Sequence, residues 1–189
     1  MSYAERDQLA DDLITALKKV RAIPTKTGHV YCGPDGGKLH DAQVGYEPCG
    51  PFETEDELHR SMTGGSLKFI KESRPKAFVR PHPSVFTYAD LCLGNIMVDA
   101  GKFCGLIDWE RSGFHPDYWE NCQAVRGAFD QFETVPMWQR VWGDRFKAEV
   151  EMATWWMNSC PFGAPRMEVP NDDGASNIEE LPDDEKVEQ

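Results

Sequence analysis

Three side chains suited to phosphoryl transfer lie close together in the stretch Phe86 to Glu110, FTYADLCLGNIMVDAGKFCGLIDWE. Asp90 can accept the proton of an attacking hydroxyl, and Asn95 and Asp108 are hard oxygen ligands of the kind magnesium prefers. In phosphoryl transfer the protein mainly positions groups and stabilises charge, so the question is what holds the three together.

The local pattern supplies the scaffold. Val85 to Tyr88 is a short β-prone run, and Ala89-Asp90-Leu91 reads as the turn after it, an accessible place for a carboxylate. Asn95 to Val98 and Phe103 to Ile107 are apolar runs joined by Asp99-Ala100-Gly101-Lys102, the signature of a β-hairpin. A hairpin brings its outer ends together, so Asn95 and Asp108 are expected side by side, with Asp90 looping in from upstream. The order Asp90-Leu91, then Asn95, then an aspartate across one hairpin matches the spacing of a kinase catalytic loop and its metal-binding residue. Each match taken alone is ordinary turn chemistry; the three together are specific.

The same residues resemble the aminoglycoside phosphotransferase/choline-kinase-like enzymes, the fungal members above all. Phe86-Thr87-Tyr88-Ala89-Asp90-Leu91 is similar to that family's Phe-Thr-His-Gly-Asp-Leu. Asn95-Ile96 and Gly105-Leu106-Ile107-Asp108-Trp109-Glu110 follow its next two phrases, and Gly113 to Glu120, GFHPDYWE, follows its Gly-Phe-x-Pro-x-Tyr-Trp-Glu. The resemblance implies Asp90 as catalytic base, Asn95 and Asp108 as magnesium ligands, and ATP or GTP as phosphoryl donor to a small hydroxylated molecule. It also implies that Asp117 and Glu120 lie near the docked substrate, where acids would suit a cationic one. Dipole compensation at a helix start, with an ion pair to Arg111 or Arg126, accounts for the same acids. Tyr88 and Ala89 depart from the family's His and Gly, so the packing and hydrogen bonding beneath the site must come from a phenol or be lost.

The remaining chain reads as support. Ser2 to Glu5 fits a capping box, and Leu9, Leu13, Ile14, Leu17 and Val20 recur at helical spacing until Pro24. Thr25 to Phe52 is an irregular connection rich in Gly and Pro, with a short strand at His29 to Gly33. Its Lys38 does not complete a phosphate loop, because Cys32 and Leu39 stand where Gly and Ser/Thr are needed. Thr54 to Glu57 opens a second helix, broken at Gly64-Gly65. Arg80 and His82, just ahead of the catalytic loop, could face a phosphate, but the simpler reading is of solvated residues in a connector held extended by Pro81 and Pro83. After Asp108 a helix is expected with Pro116 in its first turn. Trp138, Val141, Trp142, Phe146, Val150 and Ala153 mark one long helix, or two broken near Gly143, and Trp155 and Trp156 extend the stripe towards the first helix or an uncovered surface.

The expected fold is therefore α+β, mainly helical: the C-terminal (large) lobe of a protein-kinase-like fold over residues 1–160, with the N-terminal lobe absent. Residues 161–189 are expected to form an acidic disordered tail. That end carries a net charge of −8 over residues 168–189, out of −12 for all 189 residues. The acidity argues against a nucleic-acid partner, and no apolar run is long enough for a membrane span. The six cysteines lack metal-site spacing and follow no signal-peptide pattern, so they read as reduced thiols of a cytoplasmic protein. Because a kinase-like enzyme holds its nucleotide between two lobes, three roles stand open. The chain is the large lobe of a phosphotransferase, a catalytically inactive binding module, or one chain of a two-chain enzyme with a small-lobe partner in trans.

Overall fold

Ser2 starts the first helix, α1 (Tyr3–Arg21), by the reciprocal bonds expected of it: its hydroxyl accepts the Glu5 N–H at 3.3 Å, and the Glu5 carboxylate accepts the Ser2 N–H at 2.6 Å. The apolar stripe Leu9, Ala10, Leu13 and Leu17 is buried against Tyr88, Leu91, Ile96, Ala124, Met137 and Trp138. α1 thus lies behind the Asp90 loop and fixes it from below. The structure is a computed structural model that describes residues 2–25, 28–41, 47–128 and 134–159; the expected acidic tail and Cys160 lie outside these.

Helix α2 (Glu55–Thr63) begins where Thr54 Oγ1 accepts the Glu57 N–H at 3.2 Å. A 3-10 turn at Gly64–Ser66 leads into α3 (Leu67–Ser73), and a second one at Pro75–Phe78 leads to the connector before the first strand.

Two antiparallel ribbons hold the candidate site. Strand β1 (Ser84–Thr87) pairs with the later strand Gly113–Pro116, with Ser84 opposite Pro116 and Thr87 opposite Gly113. Between them in sequence, β2 (Ile96–Asp99) and β3 (Lys102–Leu106) form the expected hairpin around Ala100 and Gly101, which both have positive φ, at 47° and 78°. A two-residue turn with both φ values positive matches the twist of the flanking strands. A bulge between Met97 and Val98 shifts the register.

Gly113–Pro116 is therefore β4, and this corrects the helical start expected at Pro116; α4 begins at Trp119 (Trp119–Gly127). The reason is a contact distant in sequence. Phe114 exchanges two main-chain bonds with Cys32, at 2.7 and 3.2 Å, on the edge of β4 away from β1, which pins these residues as the middle of a ribbon. Pro116 stands at the strand's end, where a missing N–H costs least.

The aromatic stripe forms two helices, α5 (Val135–Trp142) and α6 (Lys147–Ser159), parted at Gly143, whose φ of 56° and ψ of −144° only glycine adopts readily. Trp155 packs on Phe69 of α3 at 5.9 Å between ring centroids, with the Arg74 guanidinium 4.5 Å from its ring. The end of α6 therefore covers α3 and not the first helix. No disulfide joins the described cysteines. Among the described residues no helix is long and apolar enough to cross a membrane.

Candidate active site

Asp90 leaves β1 through two residues that are fully buried, Tyr88 and Ala89. Ala89 is left-handed, with φ of 65°, a conformation that costs a non-glycine residue about 1–2 kcal/mol and turns the chain sharply so that Asp90 emerges half-buried. What stabilises the turn is Glu120, at the start of α4. Its Oε2 accepts the Tyr88 N–H at 2.8 Å and the Ala89 N–H at 3.4 Å.

Asn95 and Asp90 are joined directly. The Asn95 amide group donates to the Asp90 carbonyl at 3.0 Å and to its Oδ2 at 2.9 Å. The Asp90 Oδ1 takes the Arg111 guanidinium at 3.0 Å. Asn95 closes the 3-10 turn Leu93–Asn95, and its carbonyl accepts the Ile107 N–H at 3.1 Å, so the hairpin ends meet at the positions expected. Asp108 follows with φ of 62° and an exposed side chain. Aspartate tolerates that conformation better than most residues.

The phenol of Tyr88 lies beneath this junction. Its hydroxyl donates to the Ile107 carbonyl and sits against Asn95, and its ring meets Trp109 edge-on at 4.9 Å. Burial first, then the nearby Asp90 carboxylate, pushes the phenol well above its ordinary value, so it acts as a neutral donor. A phenol thus does supply the packing and the hydrogen bond that the sequence left open at this position.

The two acids expected on the substrate side are placed otherwise. Glu120 is 1% exposed and Asp117 is 2% exposed, and both are turned into the protein. Asp117 pairs with Arg145 at 3.0 Å, while its carbonyl accepts from Arg21 at 2.8 Å. Burial raises the Glu120 carboxyl to about 7, against the lowering effect of the Ala89 and Tyr88 N–H groups and of Arg21. These acids brace the loop; they do not line an open face. Of the two ion-pair partners expected for them, Arg111 and Arg126, Arg111 binds Asp90. His82, expected in solvent beside the exposed Arg80, is buried between Glu55 and Glu149.

The donor set fits a magnesium ion. With its NH2 group spent on Asp90, the Asn95 side chain has its carbonyl oxygen left to offer, and Asp108 offers an exposed carboxylate. Magnesium typically keeps several waters and takes one or two protein oxygens, so such a pair is a sufficient protein share. Among the described residues no three His, Cys, Asp or Glu side chains converge as a metal cage.

Comparison with protein families matches residues 1–120 to the APH model, described as a phosphotransferase enzyme family. Comparison with curated proteins returns no significant match. Among solved structures, a thermostable mutant of aminoglycoside phosphotransferase APH(4)-Ia in ternary complex with AMP-PNP and hygromycin B is similar at 13% identity and a TM-score of 0.45. APH(4)-Ia itself is similar at 13% identity and a TM-score of 0.44. The alignments cover 85% of this chain and about 65% of the first of those chains and 64% of the second.

Proposed function

The chain belongs to the APH phosphotransferase enzyme family, and from that premise we propose that it carries the catalytic loop of a kinase-type transfer of a nucleotide's terminal phosphoryl group to a hydroxyl of a small molecule. The observation that carries this reading is the bonding of Asn95 to Asp90 at 2.9 Å beside the hairpin exit that presents Asp108. In it, Asp90 orients the acceptor hydroxyl and takes its proton as the oxygen attacks the terminal phosphorus and the bond to the nucleoside diphosphate breaks. Asn95 and Asp108 would hold Mg2+, which when bound neutralises charge on the phosphates of ATP or GTP. Tyr88, Trp109 and Glu120 keep the loop and the hairpin exit in register.

On this reading residues 1–160 correspond to the large lobe of a kinase-like fold, with residues 161–189 as an acidic extension, in a cytoplasmic protein. The lysine and the covering loop that surround the phosphates in such enzymes would come from a small lobe, on a longer product or on a partner chain. The burial of Asp117 and Glu120 removes the argument for a cationic acceptor, and the acceptor class is left as a hydroxylated small molecule.

A second reading, that of a binding module without turnover, is favoured by one contact. Arg111 occupies Asp90 Oδ1 at 3.0 Å, so one oxygen of the proposed base is already engaged by a cation. Thermal shift with MgATP separates the roles. Nucleotide stabilisation that Asp108→Asn abolishes supports the metal assignment, and equal shifts in both proteins sink it. Phosphate transfer to an added alcohol, lost in Asp90→Asn with nucleotide binding kept, distinguishes an enzyme from a binding module.

A further inference from the structure

The second cluster of buried polar groups lies away from Asp90, where the connector from α3 enters β1. His82 is at its centre, its side chain 1% exposed. Its Nδ1 lies 2.8 Å from Glu55 Oε1 on α2, and its Nε2 lies 2.9 Å from Glu149 Oε1 on α6. Glu55 also accepts the His82 main-chain N–H at 3.1 Å. A neutral imidazole has one N–H and one lone pair, so it can satisfy only one of two carboxylates; the other contact would set lone pair against lone pair. Two such contacts need a further proton, on the second ring nitrogen or on one of the two carboxyls, and the ring is the more basic of these groups.

The groups around it leave His82 as the place for that charge. His59, also on α2, is pushed down by burial against the pull of Glu55, whose Oε1 lies 3.8 Å from its Nε2, and that nitrogen shares a 2.6 Å bond with the Tyr118 hydroxyl. Tyr118, Tyr31 and Cys122 are each pushed up by burial and stay protonated. Tyr31 donates to the His82 carbonyl at 2.8 Å, and the next carbonyl, that of Pro83, accepts the Asp117 N–H at 3.0 Å. The cluster therefore joins α2, α6, the Tyr31 bridge and the root of the β1–β4 ribbon.

We propose that His82 is a proton-operated pin: as an imidazolium shared by Glu55 and Glu149 it fastens α2 and α6 to the root of the strand that carries Asp90, and loss of its proton releases them. The inference stands whether or not the chain transfers phosphate. Burial works against the cation, but the two carboxylate hydrogen bonds outweigh it and raise the imidazole above its usual value. The stabilisation is thus complete below the unfolded value of about 6.5 and is lost as pH rises through the folded one.

The test uses the full chain. As pH rises above about 6.5, where an unperturbed histidine becomes mostly neutral, ring-nitrogen NMR shifts of His82 are expected to report both nitrogens still protonated. One nitrogen carrying a lone pair would overturn the proposal. The melting temperature is expected to fall as pH rises above about 6.5 in the native sequence. In Glu149→Gln, whose amide can pair with a neutral imidazole, the fall attributable to His82 is expected to shrink by at least about half. An undiminished fall in that variant, or one matched in His82→Gln, would equally overturn it.

Discussion

The Glu120 carboxylate, 1% exposed, accepts the Tyr88 main-chain N–H at 2.8 Å across 32 residues of sequence, and through it controls how Asp90 leaves its strand. The carboxyl is raised from 4.5 to about 7, chiefly by burial. A group whose folded value is raised contributes most when protonated, so stability from this residue is full below about pH 4.5 and falls as pH rises towards 7. The cost of ionising it is about 3 kcal/mol, the shift multiplied by roughly 1.4 kcal/mol per unit. Glu120→Gln keeps an acceptor for both N–H groups and removes the charge, so urea unfolding should lose most of this pH dependence between about pH 5 and pH 7. An unchanged slope in the variant would show that the titrating group is another one. Glu120→Ala should instead cost about 2–4 kcal/mol throughout, because it strands two buried donors and opens a cavity.

Tyr88→Phe removes only the hydroxyl that donates to the Ile107 carbonyl. The ring and its contact with Trp109 remain. The expected destabilisation is about 1–2 kcal/mol, the cost of a partly buried carbonyl left without its donor. Because Ile107 precedes Asp108, the same change should weaken stabilisation by MgATP beyond what the lower starting stability accounts for. Tyr88→His, which returns the family's residue, should recover part of that response. A response identical in Tyr88→Phe and the native sequence would separate the phenol from the metal site.

Which parts of this site could be read from the chain follows from how local they are. Asp90, Asn95 and Asp108 sit on a turn and a hairpin whose pattern spans about twenty residues, and Ser2 caps its own helix three residues on; such elements carry their own instructions. The burial of Glu120, Asp117 and His82 depends on partners 27 to 96 positions away, on α1, α2, α6, the turn after β1 and the turn before α6. Charged residues beside prolines look solvated in sequence, and nothing in periodicity announces that two carboxylates will close over one of them. Strand β4 was hidden for a related reason: its partner Cys32 lies in the run read as a short strand, but that run forms only isolated bridges, and nothing local says which later segment it will meet.

The hairpin turn is imperfect in one residue, which yields a stabilising substitution. Ala100 is exposed and has φ of 47°, while Gly101 beside it has 78°. Two-residue turns of this geometry favour Asn-Gly, since asparagine enters the left-handed region at lower cost than alanine. Ala100→Asn is therefore expected to raise stability by about 0.5–1 kcal/mol with no change in nucleotide response. Differential scanning calorimetry checks it, and a lowered melting temperature would mean that the turn adopts another conformation in solution.

Gly113 marks the opposite case, a position where any side chain does harm. A Cβ there would stand 2.7 Å from the Cys32 carbonyl oxygen and 2.8 Å from Leu39 Cδ2. The leucine end could move, but the carbonyl belongs to the bridge that joins Cys32 to Phe114, so the main chain itself must give way. Overpacking of this kind costs about 1–3 kcal/mol, and loss of the two bridging bonds adds to it. Gly113→Ala should destabilise by roughly 2–4 kcal/mol in chemical denaturation. Hydrogen exchange should accelerate first at Cys32 and Phe114, whose amides make the bridge, and only later at β2 and β3. Uniform acceleration across both ribbons would show that the ribbons open as one unit and that β4 is not the separate hinge on which the Asp90 strand is hung.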